Sequence, residues 1–213
     1  VWLSIIGVSW FWLIGMIFLT QFPAYTKNII NGDEKIVTLF LSVFSIGIAI
    51  GSVMCSKFLK EAIDGRLVPY GSFGITLSII LFFIFGLFYQ ESINHHHNIV
   101  NVEYFILSNP YGLCITLSLL SLSIFAGIYI VPLYAIIQHR SNKDHLSRII
   151  AANNIINALF MVLATIATIT LFTFNLNIDE ILLLVGLVNI IVFFIIKKIV
   201  NKYITTRKLT NVQ

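Results

Sequence analysis

Charge is what this chain has least of. Of its 213 residues only 10% are Asp, Glu, Lys or Arg, against 58% hydrophobic, and the mean hydropathy is +0.96. So few charges cannot clothe a water-soluble domain, which leaves a membrane protein. No Asp, Glu, Lys or Arg lies deep within the long apolar stretches, and this argues against the buried ionisable relay that proton- and cation-driven pumps usually carry. Cysteine is almost absent. Cys55 and Cys114 fall toward opposite ends of apolar runs, about 30 Å apart across the hydrocarbon layer, so they cannot pair and are expected as small apolar residues. A secretory signal pattern is missing too. The first apolar run is too long, has no basic segment before it and no small-residue cleavage site after it. The start on Val1 fits either a non-standard start codon or a piece of a longer protein, and the lack of a basic anchor before the first run favours the piece.

What is present is six apolar runs, at about 1–22, 36–54, 69–89, 113–137, 149–174 and 181–200. An unpaired backbone amide finds no water in lipid, so runs of about 20 such residues must cross as helices. The expected fold is an all-α membrane protein of six transmembrane helices forming one bundle, with the first helix broken at Pro23. Eleven of the thirteen basic residues fall on one side: Lys57, Lys60, Arg66, Arg140, Lys143, Arg148, Lys197, Lys198, Lys202, Arg207 and Lys208. The other side has Lys27 and Lys35 and collects Asp33, Glu34, Glu91, Glu103, Asp179 and Glu180. The positive-inside rule then predicts both termini in the cytoplasm. The net charge of +4 follows from this asymmetry and from anionic lipid near the tail, without nucleic acid.

Several short patterns could carry function. In "QHRSNKDHL", His139, Ser141 and Asp144 reproduce the His-x-Ser-x-x-Asp order of glycerolipid acyltransferases, in which the imidazole is a general base held by the carboxylate. The loop is about a dozen residues tied to two spanning helices, and no phosphate-binding segment follows. The pattern is therefore read as a topology-setting loop, with no catalytic residue on the chain. His95, His96 and His97 could bind a soft metal, but adjacent histidines diverge and no fourth ligand accompanies them, so a surface loop is expected. Neither a metal nor another cofactor is expected. Gly47 and Gly51 form a small-xxx-small face, with Ser45 and Ser52 nearby, suited to close helix packing or to helix sliding. Pro132 marks either a moving kink or a tolerated bend. Asn153 and Asn157 share one helix face, with Asn154 beside them, and Gln21 and Thr20 are the neutral polar residues of the first helix. These amides suit either interhelical bonding or contact with a phosphate or glycerol oxygen. Arg148 could steer a phosphate or simply anchor the helix.

Three stretches carry a family resemblance: "SWFWLIGMIFLTQFPAYTK", "GDEKIVTLFLSVFSIGIAIGSVMCSKF" and "VPLYAIIQHRSNKDHLSRIIAANNIINALFMV". They resemble the carboxyl-terminal half of the lysophospholipid transporters of the major facilitator superfamily, in the form fused to a lysophospholipid acyltransferase and an acyl-carrier-protein synthetase. The resemblance implies half of a twelve-helix fold, each half being two three-helix repeats, here residues 1 to about 90 and about 112 to 213. It further implies a bacterial inner membrane and inward flipping of lysophospholipid, chiefly lysophosphatidylethanolamine, for re-acylation. The implied partners are the substrate, membrane lipids, an amino-terminal six-helix half and the acyltransferase/acyl-carrier-protein synthetase. In the superfamily a glycine, an acidic residue four positions on and basic residues latch neighbouring helices. Here Gly51 is followed by Cys55, and charge arrives only at Lys57, Lys60, Glu61, Asp64 and Arg66, so the gating role of Asp64 and Arg66 competes with a plain solvated loop. Two other classes remain in view: a membrane-bound acyltransferase, and a non-catalytic scaffold or remnant.

Overall fold

The computed structural model describes residues 1–59, 65–93 and 99–210, with side chains through 58 in the first segment and 198 in the last. The described residues contain six long helices, each apolar and long enough to cross a membrane: α1 (Trp2–Tyr25), α2 (Glu34–Leu59), α3 (Val68–Ile93), α4 (Pro110–Arg140), α5 (Leu146–Thr173) and α6 (Ile178–Thr210). This is an all-α membrane protein. With an even number of crossings, the start of α1 and the end of α6 lie at one end of the bundle. That end also carries Lys57, Arg66, Arg140, Lys143, Arg148, Lys197 and Lys198, and is called the basic end below.

Helix ends differ from the sequence expectation for local reasons. The first helix does not stop at Pro23, which sits inside α1. Proline's missing N–H is tolerated in a spanning helix because local readjustment re-satisfies the freed carbonyls. Here the chain widens into a π-turn, Thr26–Ile30, and ends at Asn31, whose left-handed backbone (φ 56°) lets the Gly32 N–H donate to the Thr26 carbonyl at 2.9 Å. Asp33 then caps α2, its Oδ1 accepting from the Lys35 and Ile36 amides at 3.1 and 3.3 Å. Asn109 caps α4 in the same way through the Tyr111 amide at 3.0 Å. The loops before α2 and α4 are joined by backbone bonds between Val100 and both Asn31 and Asp33.

The main neighbour pairs are α1 with α5 and α4 with α2, α3 with α4 and α6 with α1, α3 with α6, and α1 with α4. The front row thus runs α5, α1, α4, α2, with α6 and α3 behind. Exchanging α1, α2, α3 for α4, α5, α6 maps these pairs onto one another, although α6 touches α1 far more lightly than α3 touches α4 and α1 also touches α2. Three crossings per unit make the second unit run opposite to the first, which is the neighbour pattern of an inverted repeat.

Two kinds of packing hold the layers. Away from the basic end, Phe18, Phe22, Phe40, Phe82, Tyr89 and Phe105 meet edge to face, with Tyr25 tilted against Phe82, in a cluster joining α1, α2, α3 and the turn before α4. Toward the basic end the same buried stripe of α2 shrinks from Phe40 and Phe44 to Gly47, Gly51 and Cys55. A Cβ on Gly47 would collide with the Ser123 side chain, and one on Gly51 with the Ile124 carbonyl. From the other side, a Cβ on Gly127 would sit 2.6 Å from the Ile48 carbonyl. A Cβ on Gly71 of α3 would sit 2.8 Å from the Tyr129 backbone, so α4 is gripped on both sides. With water absent from lipid, such backbone approach and its dispersion contacts replace the hydrophobic effect as the source of helix association.

Candidate functional site

Structure separates the polar residues of the bundle into those that hold helices together and those left on an open face. Asn157 belongs to the first group: it is buried, and its Oδ1 accepts from Ser9 Oγ of α1 at 2.8 Å. Asn153, one turn nearer the basic end, is also buried. Its Nδ2 donates weakly to Asn154 Oδ1 at 3.4 Å, and its own Oδ1 has no partner among the described residues. Asn154 itself is exposed, as is Arg148 in the first turn of α5. Gln21 is half-buried on α1. It stands twelve residues beyond Ser9, about 18 Å along the axis at 1.5 Å per residue. The structure therefore joins Asn157 to Ser9, places Asn153 on the same buried face, and leaves Asn154 and Gln21 outside that junction.

A second buried polar junction escaped the sequence reading. Asn189 of α6 is fully buried, accepts from Trp10 Nε1 at 2.8 Å, and donates through Nδ2 to the Ser72 carbonyl at 2.9 Å and to Thr76 Oγ1 at 3.0 Å. It ties α6 to α1 and α3. The signal was present, since Asn189 is the one polar side chain between Ile181 and Ile196, and an amide in lipid must find partners within the protein.

Pro132 and Cys55 also join in a way their positions in sequence do not suggest. Pro132 is buried in α4 and cannot donate to the Ile128 carbonyl four residues earlier. The Cys55 thiol of α2 lies 3.8 Å from that oxygen and donates to it. Gly47, Gly51, Cys55 and Pro132 are thus parts of one α2–α4 contact.

The acyltransferase-like pattern is dispersed. His139 lies in the last turn of α4, Ser141 Oγ donates to the Ile137 carbonyl at 2.5 Å, and Asp144 falls in a short 3-10 turn, with no His139–Asp144 bond among the described residues. Among the described residues no group of three His, Cys, Asp or Glu side chains could hold a metal. His95, His96, His97, Lys60, Glu61 and Asp64 lie outside the described residues, whereas Arg66 is exposed just before α3.

The open face is set by what the helices expose. On α3 up to Phe88, and on α6 between Glu180 and Lys197, every exposed side chain is large and apolar: Tyr70, Phe73, Leu77, Leu87 and Phe88, then Leu184, Leu187, Val188, Ile191, Phe194 and Ile195. Such surfaces suit lipid. Helices α2 and α5 differ. Opposite its glycine stripe, α2 presents Thr38, Ser42, Ser45, Ala49, Ser52 and Ser56, all exposed except the half-buried Ser52. Away from its Asn153–Asn157 face, α5 exposes Ser147, Ala151, Asn154, Ala158 and Thr165. The α2 strip steps by three and four residues throughout, the spacing of about 3.5 that keeps one line facing a partner helix, and the α5 strip does so from Ser147 to Ala158, with Thr165 seven residues further on. The hydroxyls of α2 all donate to carbonyls of their own helix, as in Ser42 to Thr38 at 2.8 Å and Ser45 to Leu41 at 2.9 Å, so the strip leaves no donor unsatisfied. Between these strips lie α1 and α4, where Trp12 Nε1 donates to Tyr134 Oη at 3.2 Å on an exposed seam. Helices α5 and α2 are also the least covered, with 17% and 28% of their apolar windows buried against 50% for α1, α3 and α4.

Comparison with protein-family models, with curated proteins and with solved structures returns no match.

Proposed function

We propose that this bundle is one half of a major-facilitator-type transporter that moves a lysophospholipid, lysophosphatidylethanolamine foremost, toward the leaflet in which it is re-acylated. The observation that carries the reading is the pair of small-residue strips on α2 and α5. Small residues on a spanning helix let a second helix approach closely, and large apolar ones face lipid. Two strips flanking the α1–α4 seam therefore fit a second six-helix bundle docked in front of this one, with a lipid path between the halves. The exchange symmetry of the neighbour pairs supports the same reading, because the two strips are on equivalent helices of the two repeats. The Trp12–Tyr134 pair and exposed Asn154 offer neutral headgroup contacts beside that path. The basic end is the cytoplasmic one in this account, at a bacterial inner membrane.

Transport is tested by reconstituting the chain in proteoliposomes with and without an amino-terminal six-helix half and following labelled lysophosphatidylethanolamine across the bilayer. Flipping that requires both halves is expected. No flipping when both are present would contradict the proposal.

A further inference from the structure

Opposite the basic end, α1, α3 and α6 bring together three buried oxygen-bearing side chains that the polar junctions above do not use. The register of α3 and α6 places them. Asn189 of α6 bonds to Thr76 of α3; three residues back along α6 and three on along α3, a Cβ on Gly186 would sit 2.7 Å from the Ile79 side chain. Two turns further along these antiparallel helices, on the same two faces, Asp179 stands opposite Gly86. The Tyr25 hydroxyl of α1 enters at that glycine, since a Cβ on Gly86 would sit 2.5 Å from Tyr25 Oη. Tyr89, one turn beyond Gly86, brings a second hydroxyl. Both tyrosines are fully buried and neither hydroxyl has a partner among the described residues, while Asp179 is 9% exposed at the rim. Asp179 and Tyr89 are also the two groups whose charge reaches the Tyr25 oxygen. We propose that Asp179, Tyr25 and Tyr89 bind one alkali-metal cation, which ties α1, α3 and α6 together at this end.

The ligands specify the chemistry. A carboxylate taken out of water has to be charge-paired or coordinate a metal. Asp179 accepts from its own amide and that of Glu180 in the first turn of α6, but no ion pair joins it to Lys27 or Lys35, the two basic residues of this end, both exposed. A carboxylate has about four lone-pair positions, so those two amides leave room for a cation. All three side chains offer oxygen and none offers nitrogen or sulfur, which is the ligand set of a hard cation. One carboxylate balances one positive charge, and this selects sodium or potassium over a divalent ion. The hydroxyls ligate through their lone pairs and stay protonated. Two unpartnered buried hydroxyls and one unpaired carboxylate thereby satisfy one another through the ion, which removes the cost each carries alone. The position of Asp179 at the rim gives the ion a way in.

The site lies behind the α1–α4 seam and requires neither a second bundle nor lipid transport, so its failure and that of transport are separable. It is tested by melting the detergent-purified chain in sodium, potassium and choline chloride at equal ionic strength. An alkali cation at ten times its dissociation constant should raise Tm by about 3–6 °C over choline, and the rise should saturate. Asp179→Asn should abolish the rise. Tyr25→Phe should melt at or above the parent in choline and lose most of the rise in sodium or potassium. Glu180→Gln, which removes the neighbouring charge from the same turn, should keep it. Equilibrium dialysis of the parent against radioactive sodium and, in place of potassium, rubidium needs no variant to fold and should find one ion bound per chain. Equal melting in the three salts, the absence of a bound ion, or a rise that Asp179→Asn leaves intact would overturn the proposal and leave water as the partner of these hydroxyls.

Discussion

Gly51→Ala is the smallest perturbation that tests how the bundle is held together. The added methyl would meet the carbonyl, carbonyl carbon and Cα of Ile124, all backbone of α4. No rotamer change relieves such a clash, so α2 and α4 must separate. Separation would also loosen the approach of Gly127 to the Ile48 carbonyl and the Cys55–Ile128 contact. Overpacking a close contact costs about 1–3 kcal/mol, and here both partners are rigid, so the upper part of that range is expected. For a chain of this size 1 kcal/mol corresponds to roughly 2–4 °C, which predicts a fall in Tm of about 4–12 °C. Gly15→Ala is the control. It is also a buried helical glycine, yet a Cβ there meets nothing within 4 Å, and alanine's better helix propensity should leave stability equal or raised by up to about 1 kcal/mol. Unfolding in detergent can be followed with a thiol-reactive fluorophore, since Cys55 is fully buried, in a Cys114→Ser background. If Gly51→Ala melts with the parent, or if both alanines cost the same, the close α2–α4 packing described above is wrong.

Other variants address the polar junctions. Asn189→Leu should lower stability by about 1–2 kcal/mol, the range for interhelical hydrogen bonds in membranes, and change the Trp fluorescence by unpairing Trp10. Combined with Trp10→Phe, its cost should be less than additive. Cys55→Ala should cost about 1 kcal/mol by leaving the Ile128 carbonyl unpaired, with Cys55→Ser restoring the loss in a circular-dichroism melt. Tyr25→Phe should be neutral or stabilising, because the buried Tyr25 hydroxyl has no partner among the described residues and its removal sheds an uncompensated desolvation penalty. A clear loss of stability there would reveal a partner.

How much of this was legible in the sequence depends on the kind of signal. The six crossings follow from apolar run length alone, because lipid admits no other way to satisfy a backbone. The Pro23 boundary did not follow, since a proline that would end a soluble helix is carried through a spanning one. Gly47 and Gly51 were readable as a packing face, but their partner was not: that Ser123, Ile124 and Gly127 oppose them depends on the α2–α4 crossing. This crossing also decides the meaning of Ser42, Ser45 and Ala49. Their spacing is visible in sequence, but that they are left uncovered is not. Asn153 and Asn157 were rightly placed on one face, and the Ser9 bond of Asn157 now accounts for that side chain as interhelical. Asn154, on the other face, keeps the substrate-contact reading.

The most direct test of the central claim, that the α2 and α5 strips receive a second bundle, is co-purification of the chain with an amino-terminal six-helix half, with Ala49→Leu and Ala158→Leu placed together in the two strips. Both positions are exposed, so the isolated chain should melt as before. The account predicts that the wild-type chain co-elutes with its partner and supports flipping, and that the double variant does neither, while Ile50→Leu on the lipid-facing side of α2 does both. Undiminished association and flipping in the double variant would contradict the account.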